Sequence, residues 1–147
     1  MMRIEDTFEV RRAPEDVFAF LTDPERLPEW QTSTVEVRRE RSGPLEVGER
    51  FSEVHAAMGR KLESTVEVAE STPPSAFALK ILDGALPLDG RWTFEPGGDG
   101  TRVHFVGEAD VAGLKKLARP LLARQFRNYH RLLKRQLERS ERTLSKA

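Results

Sequence analysis

The carboxy-terminal part of the chain constrains the fold most. Leu114, Leu117, Leu121, Leu122, Phe126, Tyr129, Leu132, Leu133 and Leu137 recur by threes and fours, the spacing of one apolar stripe on an α-helix. Proline is tolerated near a helix start, so the pattern predicts a short helix before Pro120 and a main helix from about Pro120 to Arg142. A helix of about 23 residues at 1.5 Å rise reaches roughly 35 Å, enough to cross a whole small sheet. So long a stripe needs a broad apolar partner.

The preceding residues supply that partner as strands. Ile4, Asp6, Phe8 and Val10 alternate with Glu5, Thr7 and Glu9, a half-buried strand broken only by Asp6. Ala13-Pro14-Glu15-Asp16 then opens a helix whose stripe is Val17, Phe18, Phe20 and Leu21, ended by Asp23-Pro24. A second turn or two of helix follows around Leu27-Pro28-Glu29-Trp30. From Ser33 to Phe105 the alternation is that of about six consecutive strands, punctuated by turn signals at Ser42-Gly43-Pro44, Met58-Gly59-Arg60, Thr72-Pro73-Pro74-Ser75, Asp83-Gly84 and Pro96-Gly97-Gly98-Asp99-Gly100. The order is α+β: one curved antiparallel sheet of about seven strands wrapped around a long C-terminal helix, with two short helices after the first strand.

Length and charge narrow the class. At 147 residues, without linker or repeat, residues 1–147 are expected to form a single domain. The absence of cysteine excludes disulfides, thiolate metal sites and cysteine nucleophiles. Three scattered histidines, with no HExxH or Asp-rich loop, support no metal site, and no nucleotide or phosphate loop is present, so no cofactor is expected. No apolar run reaches the ~18 residues of a membrane span, and Glu5 and Asp6 stand where a signal peptide would place its apolar core; a cytoplasmic protein is expected.

The formal net charge is zero, yet residues 1–114 carry a net of −9 and residues 115–147 a net of +9. An acidic body repels phosphates, so nucleic-acid binding is not expected. The basic face of the last helix (Arg124, Arg127, Arg131, Lys134, Arg135, Arg139, Arg142) has three readings: a solubility surface, a dock for an acidic partner protein, or transient contact with an anionic membrane surface. Monomer and homodimer both remain open.

Several stretches carry a resemblance. Val10 to Trp30, with Ala13-Pro14-Glu15-Asp16-Val17-Phe18 and Asp23-Pro24-Glu25-Arg26-Leu27-Pro28-Glu29-Trp30, resembles the amino-terminal signature of the SRPBCC (START-like, helix-grip) superfamily, in its polyketide cyclase/dehydrase and lipid-transport branch. Val47-Gly48, Glu67 through Pro74, Phe94-Glu95-Pro96 with Gly100-Thr101-Arg102-Val103, and Leu132-Leu133 with Leu137-Glu138 are similar to the rest of that pattern, which covers nearly the whole chain. The resemblance implies a helix-grip fold and a cavity between sheet and C-terminal helix. That cavity would hold a small hydrophobic molecule such as a lipid, isoprenoid or polyketide. A polyketide cyclase or dehydratase and a non-enzymatic partner-binding module are the alternatives, since fold alone does not select among them.

The cavity is expected to be lined by Trp30, Phe51, Phe77, Leu79, Trp92, Phe94, Phe126, Tyr129 and Leu133. The resemblance makes Trp30 the first candidate for ligand contact, at the point where family members close one end of the cavity. The Tyr129 hydroxyl either bonds a sheet residue or orients a ligand, and Gln125 and Asn128 are polar groups near the cavity or on a wet flank. Glu53 and His55 share one side of a strand with Phe51. If that side faces inward, a carboxylate and an imidazole meet the cavity and suit proton abstraction next to a carbonyl, with Tyr129 as third catalytic candidate. If Val54 faces inward instead, both are merely solvated.

Overall fold

The computed structural model describes residues 2–57, 59–84, 88–109 and 118–145. Seven strands form one antiparallel sheet: β1 (Met2–Val10), β2 (Thr34–Arg38), β3 (Arg50–Ala57), β4 (Arg60–Thr72), β5 (Ala76–Asp83), β6 (Asp89–Gly97) and β7 (Gly100–Ala109). Their spatial order is β1-β7-β6-β5-β4-β3-β2, so β2 to β7 follow one another as a meander and only β1 is displaced to the far edge. The link from β1 to β2 carries α1 (Pro14–Leu21), a short 3₁₀ turn and α2 (Leu27–Trp30). The long helix α3 (Ala118–Ser145) packs against β1 and α2. This is the expected α+β helix-grip architecture.

Local chemistry accounts for the connections. Pro14 opens α1 with Glu15 and Asp16 in the first turn, where the missing proline N–H costs nothing and the acids face the positive end of the helix. Asp23 then accepts a hydrogen bond from the Glu25 N–H and caps the 3₁₀ turn. At the β6–β7 hairpin, a Cβ on Gly100 would collide with the Val10 carbonyl oxygen, so the close approach of the β1 end requires glycine there. The helix α3 begins two residues earlier than the pattern predicts, because Pro120 still falls within the first turn, where N–H groups have no intrahelical acceptor. The short helix expected before Pro120 lies mostly outside the described residues.

The core lies between the sheet and α3. On β7, Thr101, Val103, Phe105, Gly107 and Ala109 are buried while Arg102 and Glu108 are exposed, the alternation of a sheet wet on one side only. Near α1 the layer is filled with aromatic rings: Phe18 stands edge-on to Phe77 (6.1 Å) and to Phe94 (5.5 Å). A bidentate pair from Arg39 to Glu49 (2.7 and 3.0 Å) pins the β2–β3 connection. Its side chains are only 11% and 4% exposed, and the Arg39 hydrogen bond holds the Glu49 carboxyl below the usual carboxylate range.

Candidate ligand cavity

A cavity of about 220 Å³ opens between β3–β6 and the first turns of α3. Its apolar wall is made by Leu62 and Val66 of β4, Leu79 and Ile81 of β5, Leu88, Trp92 of β6, and Leu122 and Phe126 of α3. Strand alternation presents these residues on the sheet's concave side, and the spacing of 122, 125, 126 and 129 turns one flank of α3 toward them. Gly90 forms part of the floor; a Cβ there would press on Phe105 (3.1 Å) and Trp92 (3.2 Å). Pockets for drug-sized ligands occupy roughly 300–1,000 Å³, so this space suits a smaller molecule.

The polar groups of the wall are concentrated at one side. Phe51, Glu53 and His55 take the inward face of β3, and Glu53 and His55 line the cavity. Glu53 is 4% exposed, and its Oε2 lies 3.3 Å from His55 Nε2. Val54, also buried, belongs to the opposite face by strand alternation. Behind His55, Gln31 Nε2 donates to Thr34 Oγ1 (2.7 Å), and Thr34 Oγ1 lies 3.4 Å from His55 Nδ1. Thr34 therefore stands between the Gln31 amide and the His55 ring.

Tyr129 donates its hydroxyl to Ser33 Oγ (2.6 Å), a residue of the α2–β2 connection and not of the sheet. Burial pushes the Tyr129 phenol up, and the Ser33 bonds oppose that shift. Gln125 lines the cavity, whereas Asn128 is exposed and is not part of its wall.

Of the nine side chains expected around the cavity, Leu79, Trp92, Phe126 and Tyr129 are on its wall. Trp30, Phe51 and Phe77 instead surround a separate space of about 20 Å³, which Leu79 and Trp92 also border. Phe94 and Leu133 border neither space. The cause is α1: its Phe18 fills the sheet end that those rings would otherwise leave open. Leu133 is fully buried in the core. Trp30 is 1% exposed, edge-on to Trp92 at 6.3 Å, and its Nε1–H is without a hydrogen-bond partner among the described residues.

Sequence reasoning missed a second imidazole–carboxylate pair. His130, 1% exposed, receives a hydrogen bond from Trp92 Nε1 at its Nε2 (3.1 Å), and its Nδ1 lies 2.8 Å from Asp6 Oδ2. Indole is a donor only, so Nε2 must accept and Nδ1 carries the proton toward Asp6. Burial pushes the His130 imidazole below its ordinary pKa, opposed by the hydrogen bond and charge of Asp6. Phe8 stacks on the ring at 4.7 Å and Phe105 meets it at 5.0 Å. The signal in the sequence was Asp6, the one polar residue on the inward side of β1.

The outer face is charged as its exposure allows. His104 faces away from the core beside Thr7 (2.8 Å), Arg91 pairs with Glu70 (2.7 Å) and Arg102 with Glu9 (3.3 Å). On α3, Lys134 folds back to the Glu9 carbonyl (2.6 Å) and to Glu138 (2.9 Å). Arg124, Arg127, Arg131, Arg135 and Arg139 are exposed. Among the described residues there is no cluster of three metal-ligating side chains, and no helix is long and apolar enough to cross a membrane.

Residues 1–144 match the family described as "Polyketide cyclase / dehydrase and lipid transport". No curated protein sequence matches this chain. Among solved structures, protein CV1439 of Chromobacterium violaceum superposes with a TM-score of 0.76 at 17% identity, over 92% of this chain and 97% of its own. TTHA0849 of Thermus thermophilus gives 0.76 at 21% identity, over 95% and 99%. DynU16, from the dynemicin biosynthetic locus, gives 0.71 at 18% identity over 92% of this chain, which spans 47% of the DynU16 chain. At these identities the likeness is one of fold.

Proposed function

The chain belongs to the polyketide cyclase/dehydrase and lipid-transport family, and from that premise we propose that it binds one small hydrophobic molecule in the cavity between sheet and α3. The observation that carries the reading is the cavity itself, about 220 Å³ with an apolar wall and polar groups gathered at one side. A wall of this kind supplies affinity through apolar burial and orientation through few polar contacts. Native mass spectrometry of freshly purified protein, followed by organic extraction, tests it. A discrete co-purifying small molecule is expected. A bare mass that stays unchanged when lipids and aromatic polyketides are offered would move the reading to a partner-binding module.

One observation favours a second reading, proton-transfer catalysis of the cyclase or dehydratase kind. Glu53 and His55 stand on the cavity wall, where a bound carbonyl compound would meet a carboxylate base held by an imidazole. Tyr129 is the accompanying donor, its hydroxyl now engaged by Ser33. Turnover of a model poly-β-ketone that is lost in Glu53→Gln, with ligand retention kept, would select this reading over simple carriage.

A further inference from the structure

The polar side of the cavity is built for one kind of head group. Glu53 is buried to 4% exposure on the wall, and its Oε2 lies 3.3 Å from His55 Nε2. A carboxylate has about four lone-pair sites, so most of its accepting capacity faces the cavity unmet. Gln31, Thr34 and His55 line up behind the carboxylate, which when ionised can only accept. Ser64, directly opposite Glu53 in the β3–β4 register and also on the wall, adds a hydroxyl that can donate to a ligand oxygen or accept from it. No lysine or arginine is among the described wall residues. A second anion would meet Glu53 in a poorly solvated space with no fixed cation to offset it.

We propose that the cavity selects neutral hydrophobic molecules carrying a hydroxyl donor, a phenol or an alcohol, which the Glu53 carboxylate accepts, and that it rejects carboxylate-headed molecules such as fatty acids. The inference rests on the cavity being a ligand site. It goes beyond that reading by fixing the sign of the recognition: the protein accepts and the ligand donates. The ligand hydroxyl oxygen in turn has lone pairs for the Ser64 hydroxyl, so the head group is held from two adjacent strands.

Calorimetric titration of the full chain at pH 7.5 with 2-naphthol, 2-naphthoate and 2-methylnaphthalene tests this, because the three probes share a ring system and differ in the head group. The expected result is 2-naphthol binding at least ten-fold tighter than 2-naphthoate and several-fold tighter than 2-methylnaphthalene. In Glu53→Gln, checked for folding by circular dichroism, the naphthol-to-naphthoate preference should shrink to within about three-fold. Naphthoate binding as tightly as naphthol, or methylnaphthalene equalling naphthol, would overturn the inference and leave the cavity reading standing. Binding of none of the three would overturn both. The wild-type comparison decides the matter even if the variant fails to fold.

Discussion

The interior holds two imidazole–carboxylate pairs that differ in what the rest of each ring meets. In Asp6–His130–Trp92 both ring nitrogens are engaged, at 2.8 and 3.1 Å, and the ring is wedged among aromatic side chains. In Glu53–His55 the contacts are longer, 3.3 and 3.4 Å, His55 is 22% exposed, and the carboxylate borders open cavity. A closed chain of satisfied groups fixes structure, because breaking any link leaves a buried polar atom alone. An open chain ends on a group with spare capacity, which is what a binding site needs. Proximity of a histidine to a carboxylate therefore does not mark function; the space at the end of the pair does.

The largest predicted effect breaks the closed chain. His130→Leu leaves Asp6 and the Trp92 N–H without their partner, and should cost about 3–5 kcal/mol in chemical denaturation. Asp6→Asn keeps the shape and an acceptor but removes the charge, and should cost roughly 1–3 kcal/mol by the same measurement.

The closed pair also makes stability depend on pH. Burial lowers the folded-state pKa of His130 below its unfolded value near 6.5, so the unfolded chain takes up the proton first. The contribution of His130 to stability is complete above about pH 6.5 and is lost as pH falls below it. Denaturation midpoints measured between pH 7.5 and 5 should therefore decline on acidification. His130→Gln, although less stable at every pH, should show a flatter decline across that window. The smallest effect is expected at the open chain, where Glu53→Gln should change stability by less than about 1 kcal/mol, since the amide keeps the shape and one acceptor. A loss of several kcal/mol there would make Glu53 a structural residue like Asp6 and remove the contrast.

Much of this was legible beforehand. Strand alternation and turn residues predicted the meander, and the three-and-four spacing predicted α3, because both periodicities follow directly from backbone geometry. Parity along β3 brought Phe51, Glu53 and His55 to one face. Depth was not legible: strand and helix periodicity state which faces Phe94 and Leu133 take, but not that Phe18 of α1 closes the space around that end of the sheet. Nor was the pairing of Asp6 with His130, 124 residues apart, since periodicity carries no information about which inward groups meet. The break in the β1 pattern at Asp6 was a sign that some donor had to face it.

Side-chain ¹⁵N spectra of the imidazoles, with and without 2-naphthol, test the contrast most directly, and three histidines make assignment by single substitution simple. The account predicts that His130 shows the Nδ1–H tautomer with and without ligand. The His55 nitrogens should shift when a hydroxyl reaches Glu53. A ligand that binds while moving His130 and leaving His55 unchanged would contradict it.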